Sequence, residues 1–550
     1  MFIKLVIDTE KCFSSVEELT FTSPQSFISS DKQEVLLFNR LPTGLDEEDF
    51  RIATSSNNFD FVWSAEKDFV AFHVKLVSGK PIITTITDRY GSWRVYHKLD
   101  SVAYVVTTYW KDVVSNDFSF SAAGLSDLIS SRLLYDDHIV FGGVRVNPLH
   151  HFSHYNGSLS FGEIFPPSVK LPKFQSDQET IDSIENSIKS SLEKVKSQQG
   201  SCAVLLSGGT DSFILAALAQ QIFDKVVAYT PTWEDDFNPE LERAEIFAKH
   251  LGLEHRIVTL TVDEIGIAYT QLVQAMGVPI RNFSSVPLFA LLGYIGEEVV
   301  LYGEFADTLF GSKPFKGRLL DLKYQKLLGP FGFVPKIQRV LNHLSASENL
   351  YSITWLHGIS EKDFEHAATV LFGDEEKLPG PFLQSSGTVE AWKDMNLRTS
   401  CRQHMVEIEF AAAFYDKVVA TPFYSLELIQ LSRRLTDEQL FGRKGLSVIK
   451  NFKQDYSLEV KPLLKELASR YIDRQHIYRS KLGFPTPHVK WILALFKDDL
   501  KELEVQGVID SIDPKYIKSR YEWVWTQLNL YHISQIVEQA AKEDELLVSA

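Results

Sequence analysis

Apolar residues follow two different rhythms along this chain, and the change between them falls near residue 170. Up to about residue 160 they come in short runs: Val35-Leu-Leu-Phe38, Phe69-Val-Ala-Phe-His-Val74, Pro81-Ile-Ile-Thr-Thr-Ile86 and Val102-Ala-Tyr-Val-Val-Thr-Thr108, separated by Gly, Asn, Asp and Ser. Runs of β-branched and aromatic residues of this length predict strands. The opening Met1-Phe-Ile-Lys-Leu-Val-Ile-Asp8 reads as one more, and Ala122 to Leu134 predicts the clearest helix of this half. Phe165-Pro-Pro-Ser-Val-Lys-Leu-Pro172 can continue neither a helix nor a central strand. It predicts a boundary between a unit of residues 1–165 and one of residues 175–550.

Beyond that boundary the period lengthens. Ile181, Ile184, Ile188, Leu192 and Val195 fall on one face of a predicted helix. Strand-like Cys202-Ala-Val-Leu-Leu206, helix-like Phe213 to Ala219, and strand-like Val226-Val-Ala-Tyr229 follow. Asn238-Pro-Glu-Leu-Glu242 has a cap residue, a proline at the first helical position and acids in the first turn. Gly252 closes that helix, and Arg256-Ile-Val-Thr-Leu260 and Val299-Val-Leu-Tyr302 are two more strands. Strands alternating with helices predict a parallel sheet covered on both faces, with ligands bound beyond its carboxyl edge. Ser207 and Gly303 both fall there. Past about residue 390 the pattern is mainly helical: Ala420-Thr-Pro-Phe423 is read within that helical region, and Trp523, Trp525, Leu528, Leu530 and Ile533 are read as helix core.

Composition narrows the class. At 550 residues the chain exceeds what one core usually serves, and 44% apolar with 23% charged residues is ordinary for a globular protein. A net charge of −16 argues against broad contact with a nucleic-acid backbone. Cys12, Cys202 and Cys401 lie too far apart for a zinc spacing or a disulfide framework, which fits a reducing cytosol. The expected location is therefore cytoplasmic, with no signal peptide and no membrane span.

The chemistry concentrates in Val204-Leu-Leu-Ser-Gly-Gly-Thr-Asp-Ser212, a strand running into a glycine turn and then a helix. Glycines let the backbone approach an anion, and the free N–H groups of a helix start favour negative charge. Ser207 and Ser212 can add hydroxyl donors, and Asp211 is placed to hold a divalent cation beside a polyphosphate. No Gly-Lys-Ser/Thr follows, so this is not a Walker loop. The segment resembles the Ser-Gly-Gly-x-Asp-Ser loop of ATP pyrophosphatases that adenylate a carbonyl or carboxylate. Four further features come in order: the acid-rich stretch from Glu240 to His255, Tyr302-Gly-Glu-Phe-Ala-Asp-Thr-Leu-Phe-Gly311, Ala420-Thr-Pro-Phe423, and Lys461-Pro-Leu-Leu-Lys-Glu-Leu followed by Arg479-Ser-Lys-Leu-Gly-Phe-Pro-Thr-Pro487. Together they resemble, over residues 180–495, the synthetase domain of asparagine synthetases and their relatives, the β-lactam synthetases and lasso-peptide macrocyclases.

That resemblance implies an α/β fold: an N-terminal sandwich of two antiparallel sheets between helices, of the glutamine-amidotransferase (Ntn) type, then a parallel-sheet nucleotide-binding domain with a helical extension. Asp88-Arg-Tyr-Gly-Ser-Trp-Arg-Val-Tyr96 resembles the Asp-Arg-Phe-Gly segment of the first of these. A glutaminase of this type needs cysteine directly after the initiator methionine. Phe2 stands there, so the first domain reads as degenerate and the amine as coming from elsewhere.

The resemblance further implies that Ser207, Gly208, Gly209 and Ser212, with Gly303, hold ATP, and that Asp211 and Asp307 hold magnesium. Lys481 would neutralise charge at the phosphate and acyl oxygens, and Glu304 would accept a proton from the amine or position substrate. Glu407 or Glu409 would supply a second acid. Phe305 and Thr308 depart from the motif, where a small residue and an acid are usual, and Val278-Pro-Ile-Arg-Asn-Phe-Ser-Ser285 replaces an acidic segment. Both weigh against asparagine synthesis itself. The expected activity is ATP-dependent amide formation releasing AMP and pyrophosphate, with a peptide or small-molecule carboxylate as substrate and a precursor peptide or companion biosynthetic protein as partner. An ammonia-dependent amidotransferase and a catalytically inactive nucleotide-binding scaffold are the alternatives. His255 and Cys202 read as structural.

Overall fold

The computed structural model describes residues 2–39, 46–56, 58–64, 69–89, 91–114, 141–164, 176–196, 200–234, 236–280, 283–312, 333–336, 401–442, 460–479, 486–505 and 528–536, with residues 121, 124, 139, 174, 330, 393, 396, 397 and 525 standing singly. The boundary segment Phe165–Pro172, Lys481 and nearly all of the helix expected at Ala122–Leu134 lie outside these residues.

The first half builds two antiparallel sheets. One has five strands in the order Thr20–Thr22, Lys4–Asp8, Ala103–Thr107, Tyr96–Leu99 and Val144–Val146. The other has six, in the order Leu159–Glu163, His151–Tyr155, Lys80–Thr87, Val70–Val77, Glu34–Phe38 and Gln25–Ile28. Their inner faces meet in one core: Leu5, Ile7, Tyr104 and Val106 from the first pack with Val35, Phe72, Val74 and Ile83 from the second. Tyr104 stacks on Tyr155 with ring centroids 3.9 Å apart. Strand side chains alternate faces, so the far side of the six-stranded sheet offers Leu36, Phe38, Phe69, Ala71 and Ile86. The helices Glu47–Ser56 and Phe61–Ser64 cover these with Phe50, Ala53, Val62 and Trp63.

Between the sheets lies a closed polar network. His97 Nε2 is 2.5 Å from Asn147 Oδ1, and His97 Nδ1 is 2.8 Å from the Tyr104 hydroxyl. An amide oxygen can only accept, so Nε2 carries the proton and Tyr104 donates to Nδ1. Asn147 Nδ2 donates to Thr85 Oγ1 at 2.9 Å, and Thr85 meets Ser153 Oγ. Burial pushes the His97 imidazole down to about 4.

The second half is an α/β unit. The helix Asp177–Val195 is capped by Ser176, whose side chain accepts from Glu179 N, and buries Ile181, Ile184, Ile188, Leu192 and Val195. Five parallel strands follow in the order Glu254–Leu260, Lys225–Trp233, Ser201–Leu205, Val299–Leu301 and Val418–Ala420. Ser201–Leu205 is central, and its apolar residues are buried, as a strand sandwiched between helices requires. Val418–Ala420 is an edge strand inside the region read as helical; its β-branched Val418-Val419 pair adds to Val299–Leu301 in parallel register. The helix expected from Asn238 begins at Leu241 instead, because the Asn238 side chain donates to the Pro231 carbonyl and accepts from Glu240 N within a turn. Trp525, Leu528, Leu530 and Ile533 are buried, whereas Trp523 lies outside the described residues. Among the described residues no helix is long and apolar enough to cross a membrane.

Candidate active site

Two motifs leave adjacent parallel strands at the same edge of the sheet. Ser201–Leu205 ends in Ser207-Gly208-Gly209, and the helix Thr210–Ala219 starts at once. Val299–Leu301 ends in Tyr302-Gly303-Glu304-Phe305, followed by the helix Ala306–Phe310. The edge is the carboxyl one, where helix starts and loop N–H groups converge.

The first loop is folded on Ser212. Its Oγ accepts from Ser207 N at 3.1 Å and lies 3.0 Å from the Ser207 carbonyl and 3.1 Å from that of Gly209. Ser207 Oγ, 3.1 Å from the same hydroxyl, also accepts from Gly209 N at 3.2 Å. Two glycines are fixed by close approach rather than by turn geometry. A Cβ on Gly208 would stand 2.7 Å from Arg243 Cβ and 3.0 Å from the Glu240 carbonyl. One on Gly303 would stand 3.1 Å from Ser212 N, so glycine lets the two motifs touch.

A third segment completes the site. Lys461 precedes the helix Pro462–Ala468, which packs on the helix Thr210–Ala219. Its backbone sits in the left-handed region at φ 54°, an uncommon state for a residue with a side chain. Its Nζ is 2.6 Å from Asp211 Oδ2 and 2.7 Å from Asp307 Oδ1, so one buried ammonium ties the two motif carboxylates together. Asp211 Oδ1 is buried and has no hydrogen-bond partner. An anionic oxygen left bare in a buried site is costly unless a cation or donor reaches it. Among the described residues no group of three or more His, Cys, Asp or Glu side chains forms a metal centre by itself. A pair of carboxylates completed by phosphate oxygens and water is what magnesium takes. Asp211 and Asp307 therefore fit that ion.

The site opens on two sides of the loop. A cavity of about 420 Å³ is lined by the loop, by both motif acids, by Tyr302, Gly303 and Glu304, and by apolar Leu205, Leu288 and Leu291. On the other side a small cavity of about 40 Å³ carries Arg243, Lys461, Lys465, His476 and Arg479. Lys461 belongs to that cationic side and reaches both acids.

Tyr302 and Glu304 stand together in the wall of the larger cavity. Burial, and then the Glu304 charge, push the phenol well above its ordinary range. Phe305 takes the left-handed conformation, φ 71°, uncommon for a residue with a bulky side chain. Its ring is buried and stacks on Tyr424 at 4.4 Å. Thr486 and His488 also line this cavity, 3.0 Å apart, and burial keeps the His488 imidazole below its ordinary value.

Of the residues singled out in the sequence, the structure gathers Ser207, Gly209, Asp211, Ser212, Gly303, Glu304 and Asp307 around one cavity and puts Gly208 on its smaller neighbour. Glu407 and Glu409 are both buried on the helix Arg402–Phe414; Glu407 accepts from Ser285 Oγ, beside the cavity-lining Ser284. Lys481 lies outside the described residues. His255 sits on the edge strand Glu254–Leu260, two strands from the loop, with Nε2 2.8 Å from Thr230 Oγ1, and burial pushes the Cys202 thiol up to about 12, which makes it inert. Lys461 was quoted above only as part of a motif, and His488 not at all. No local signal marks either, since each reaches the site from a segment distant in sequence.

A parallel sheet whose glycine loop and acid pair converge on a cationic pocket is a nucleotide-binding architecture. Residues 183–522 match the asparagine synthase family, and the chain belongs to it. A Mycobacterium tuberculosis protein named "Putative asparagine synthetase (glutamine-hydrolyzing)" is 25% identical over 344 residues, covering 58% of this chain and 50% of that one. Asparagine synthetase (glutamine-hydrolyzing) 1 of Bacillus subtilis is 22% identical over 450 residues, covering 74% of this chain and 65% of its own. The chain thus spans about half the length of the mycobacterial relatives it matches. Among solved structures, the NH3-dependent NAD synthetase of Campylobacter jejuni matches 32% of this chain and 96% of its own at 15% identity, with a TM-score of 0.20.

Proposed function

We propose that the protein is an ATP-dependent carbon–nitrogen ligase, which adenylates a substrate carboxylate and passes the acyl group to an amine. The observation that carries this reading is the convergence of Asp211, Asp307 and Lys461 where the glycine loop meets the Gly303–Glu304 turn. In this reading the larger cavity takes the adenosine and the acyl donor. The loop N–H groups and the cations of the smaller cavity take the β- and γ-phosphates.

A carboxylate oxygen of the donor attacks the α-phosphorus, and the bond to the bridging oxygen of the β-phosphate breaks, so pyrophosphate leaves. Magnesium, held by Asp211 and Asp307, would neutralise phosphate charge. Lys461 gives up at least one carboxylate as the polyphosphate enters and turns its charge to the leaving group, an electrostatic contribution that strengthens in the transition state. The amine nitrogen then attacks the acyl carbon, the bond to the AMP oxygen breaks, and the amine proton passes to Glu304. Lys481 belongs to the same acyl-transfer step.

The amine comes with the substrate rather than from glutamine. In support, Phe2 sits immediately before the first strand, stacked on Tyr109 at 4.5 Å and lying against Trp93 and Phe410. The residue ahead of the first strand is thus an apolar ring held in the seam between the halves, with no nucleophile of its own. Closure of a peptide or small amino acid onto its own carboxylate, as in macrocyclases and β-lactam synthetases, fits such a site.

The test is equilibrium binding of magnesium-ATP to the wild type and to Asp211→Ala. A loss of 100-fold or more is expected, because the substitution removes one of two metal carboxylates. Wild-type affinity in the variant contradicts the assignment.

A further inference from the structure

The family match ends at residue 522, yet two buried side chains beyond it reach back toward the wall of the larger cavity. Trp525 is 2% exposed and Asn529 is fully buried. Trp525 Nε1 donates to the Ile280 carbonyl at 2.7 Å, and Asn529 Oδ1 accepts from Ile280 N at 3.0 Å. Asn529 Nδ2 donates in turn to the Trp525 carbonyl at 2.7 Å, which ties the pair together. Residues 528–536 are helical, and His532 anchors them. Its Nδ1 lies 2.8 Å from the Tyr269 hydroxyl and its Nε2 2.9 Å from Asp499 Oδ2.

Ile280 lies in the stretch that joins the helix Val262–Met276 to the helix Ser285–Leu292. Val278, Ile280 and Phe283 are buried there, and residues 277–280 belong to no helix or strand. A buried backbone outside regular structure must find partners for its N–H and C=O groups elsewhere. For Ile280 both come from the segment beyond residue 522. Three residues on, Phe283 packs edge-on against Trp525 with ring centroids 4.8 Å apart, and lies 6.0 Å from Trp491 and 6.4 Å from His488. His488 lines the larger cavity, as do Ser284, Leu288 and Leu291. Trp525 and Asn529 thus hold the backbone at Ile280, and Trp525 meets the ring directly before Ser284, where the chain enters the cavity wall.

We propose that Trp525 and Asn529 are positioning residues for the acyl donor: they fix the stretch 278–284, and with it the wall that Ser284, Leu288 and Leu291 present to the cavity. This rests on the ligase reading given above, in which the larger cavity takes the adenosine and the donor. The phosphate loop leaves a different strand, Ser201–Leu205, and is held by Ser212 and Lys461. Disturbing the two residues is therefore expected to affect the donor and spare the nucleotide.

The test uses the full chain with Asn529→Leu, which loses both side-chain bonds, and Trp525→Phe, which keeps a ring beside Phe283 but loses the indole donor. Hydrogen exchange followed by mass spectrometry is expected to speed up about tenfold or more across residues 278–292 in Asn529→Leu, the scale of leaving a buried N–H unpaired. A smaller increase in the same residues is expected in Trp525→Phe, which serves if Asn529→Leu fails to fold. The strand Ser201–Leu205 should exchange as in wild type. Faster exchange confined to residues 525–536 overturns the proposal, since a segment merely packed on a self-supporting wall would loosen alone. Magnesium with α,β-methylene-ATP, measured by calorimetry, is expected to bind both variants within twofold of wild type. With the donor that gives the fastest pyrophosphate release among amino acids and peptides, the KM for donor should rise about tenfold or more and the KM for ATP stay within twofold. An unchanged donor KM also overturns the proposal. A wild type that binds the analogue yet releases pyrophosphate with no donor overturns the ligase reading instead, and the exchange result still decides whether Trp525 and Asn529 hold the wall.

Discussion

Lys461 shows how one side chain can hold a polyphosphate site ready before the polyphosphate arrives. Its ammonium satisfies one oxygen of each motif acid and leaves Asp211 Oδ1 bare. Breaking a buried pair by removing one partner costs about 3–5 kcal/mol in general, because the other charge stays uncompensated. Asp307 is partly exposed, so Lys461→Met should lie toward the low end of that range. The same change should slow pyrophosphate release by roughly 100-fold, the scale of losing one preorganised charge at a leaving group. It should also let magnesium alone bind tighter than to wild type, since the ion no longer competes with the lysine. Calorimetry with magnesium and no nucleotide checks this, and equal affinity would contradict it. The acid and serines of the loop were legible in the sequence because they stand together in one short motif, whereas Gly208 is fixed by Arg243 and Glu240 from the next helix. Lys461 was not legible, because its bond to Asp211 joins residues 250 positions apart.

His97 carries a pH dependence at the same scale. Its imidazole is neutral in the fold, with a pKa pushed down to about 4 from an ordinary 6.5 by burial. Between those values the unfolded chain binds the extra proton and the fold does not, so stability falls as pH drops from 6.5 toward 4 and levels off below. The window is worth about 3 kcal/mol at most, taking 1.36 kcal/mol per unit. A His97→Gln variant should flatten this slope in thermal midpoints recorded from pH 7 to pH 4. A slope identical to wild type would place the sensitivity elsewhere.

Among elements, the informative contrast is between the strands that were read and the one that was not. The alternation of apolar runs and helices was enough for the parallel sheet, since Ser201–Leu205 and its neighbours are long or strongly apolar. Val418–Ala420 escaped because three residues between helices carry no period of their own; pairing with Val299–Leu301 makes them a strand. The turn at Asn238 is similar: the cap signal was present, but a bond to the Pro231 carbonyl diverted it. Gly277, at the end of the helix Val262–Met276, shows an element end set by a tertiary neighbour. It is left-handed at φ 60°, and a Cβ there would stand 2.1 Å from the Trp110 ring, whose Nε1 donates to the Gln274 carbonyl at 3.0 Å. Gly277→Ala should cost roughly 2–4 kcal/mol through backbone strain and overpacking together. Pairing it with Trp110→Leu should return part of the lost thermal midpoint. No difference between the single and double variants would show that the clash is absent.

Across the whole molecule, the two halves meet through side chains of very different kinds. Trp110 caps a helix of the second half, Arg94 and Arg402 cross as buried cations, and Phe2, Trp93 and Phe410 form an aromatic seam. The helix Arg402–Phe414 is buried along nearly all its length because it lies in this junction, which explains why its sequence has no amphipathic stripe to read. The central claim, that the glycine loop and the acid pair beside it serve carboxylate activation for an amine, is tested most directly by pyrophosphate release. Wild-type protein with magnesium and radiolabelled ATP is offered a panel of amino acids, amine-bearing acids and peptides with free carboxylates. The account predicts equal amounts of AMP and pyrophosphate with at least one donor, no dependence on glutamine, and loss of both products in Asp211→Ala. ATP bound tightly, yet left intact with every donor, would contradict it.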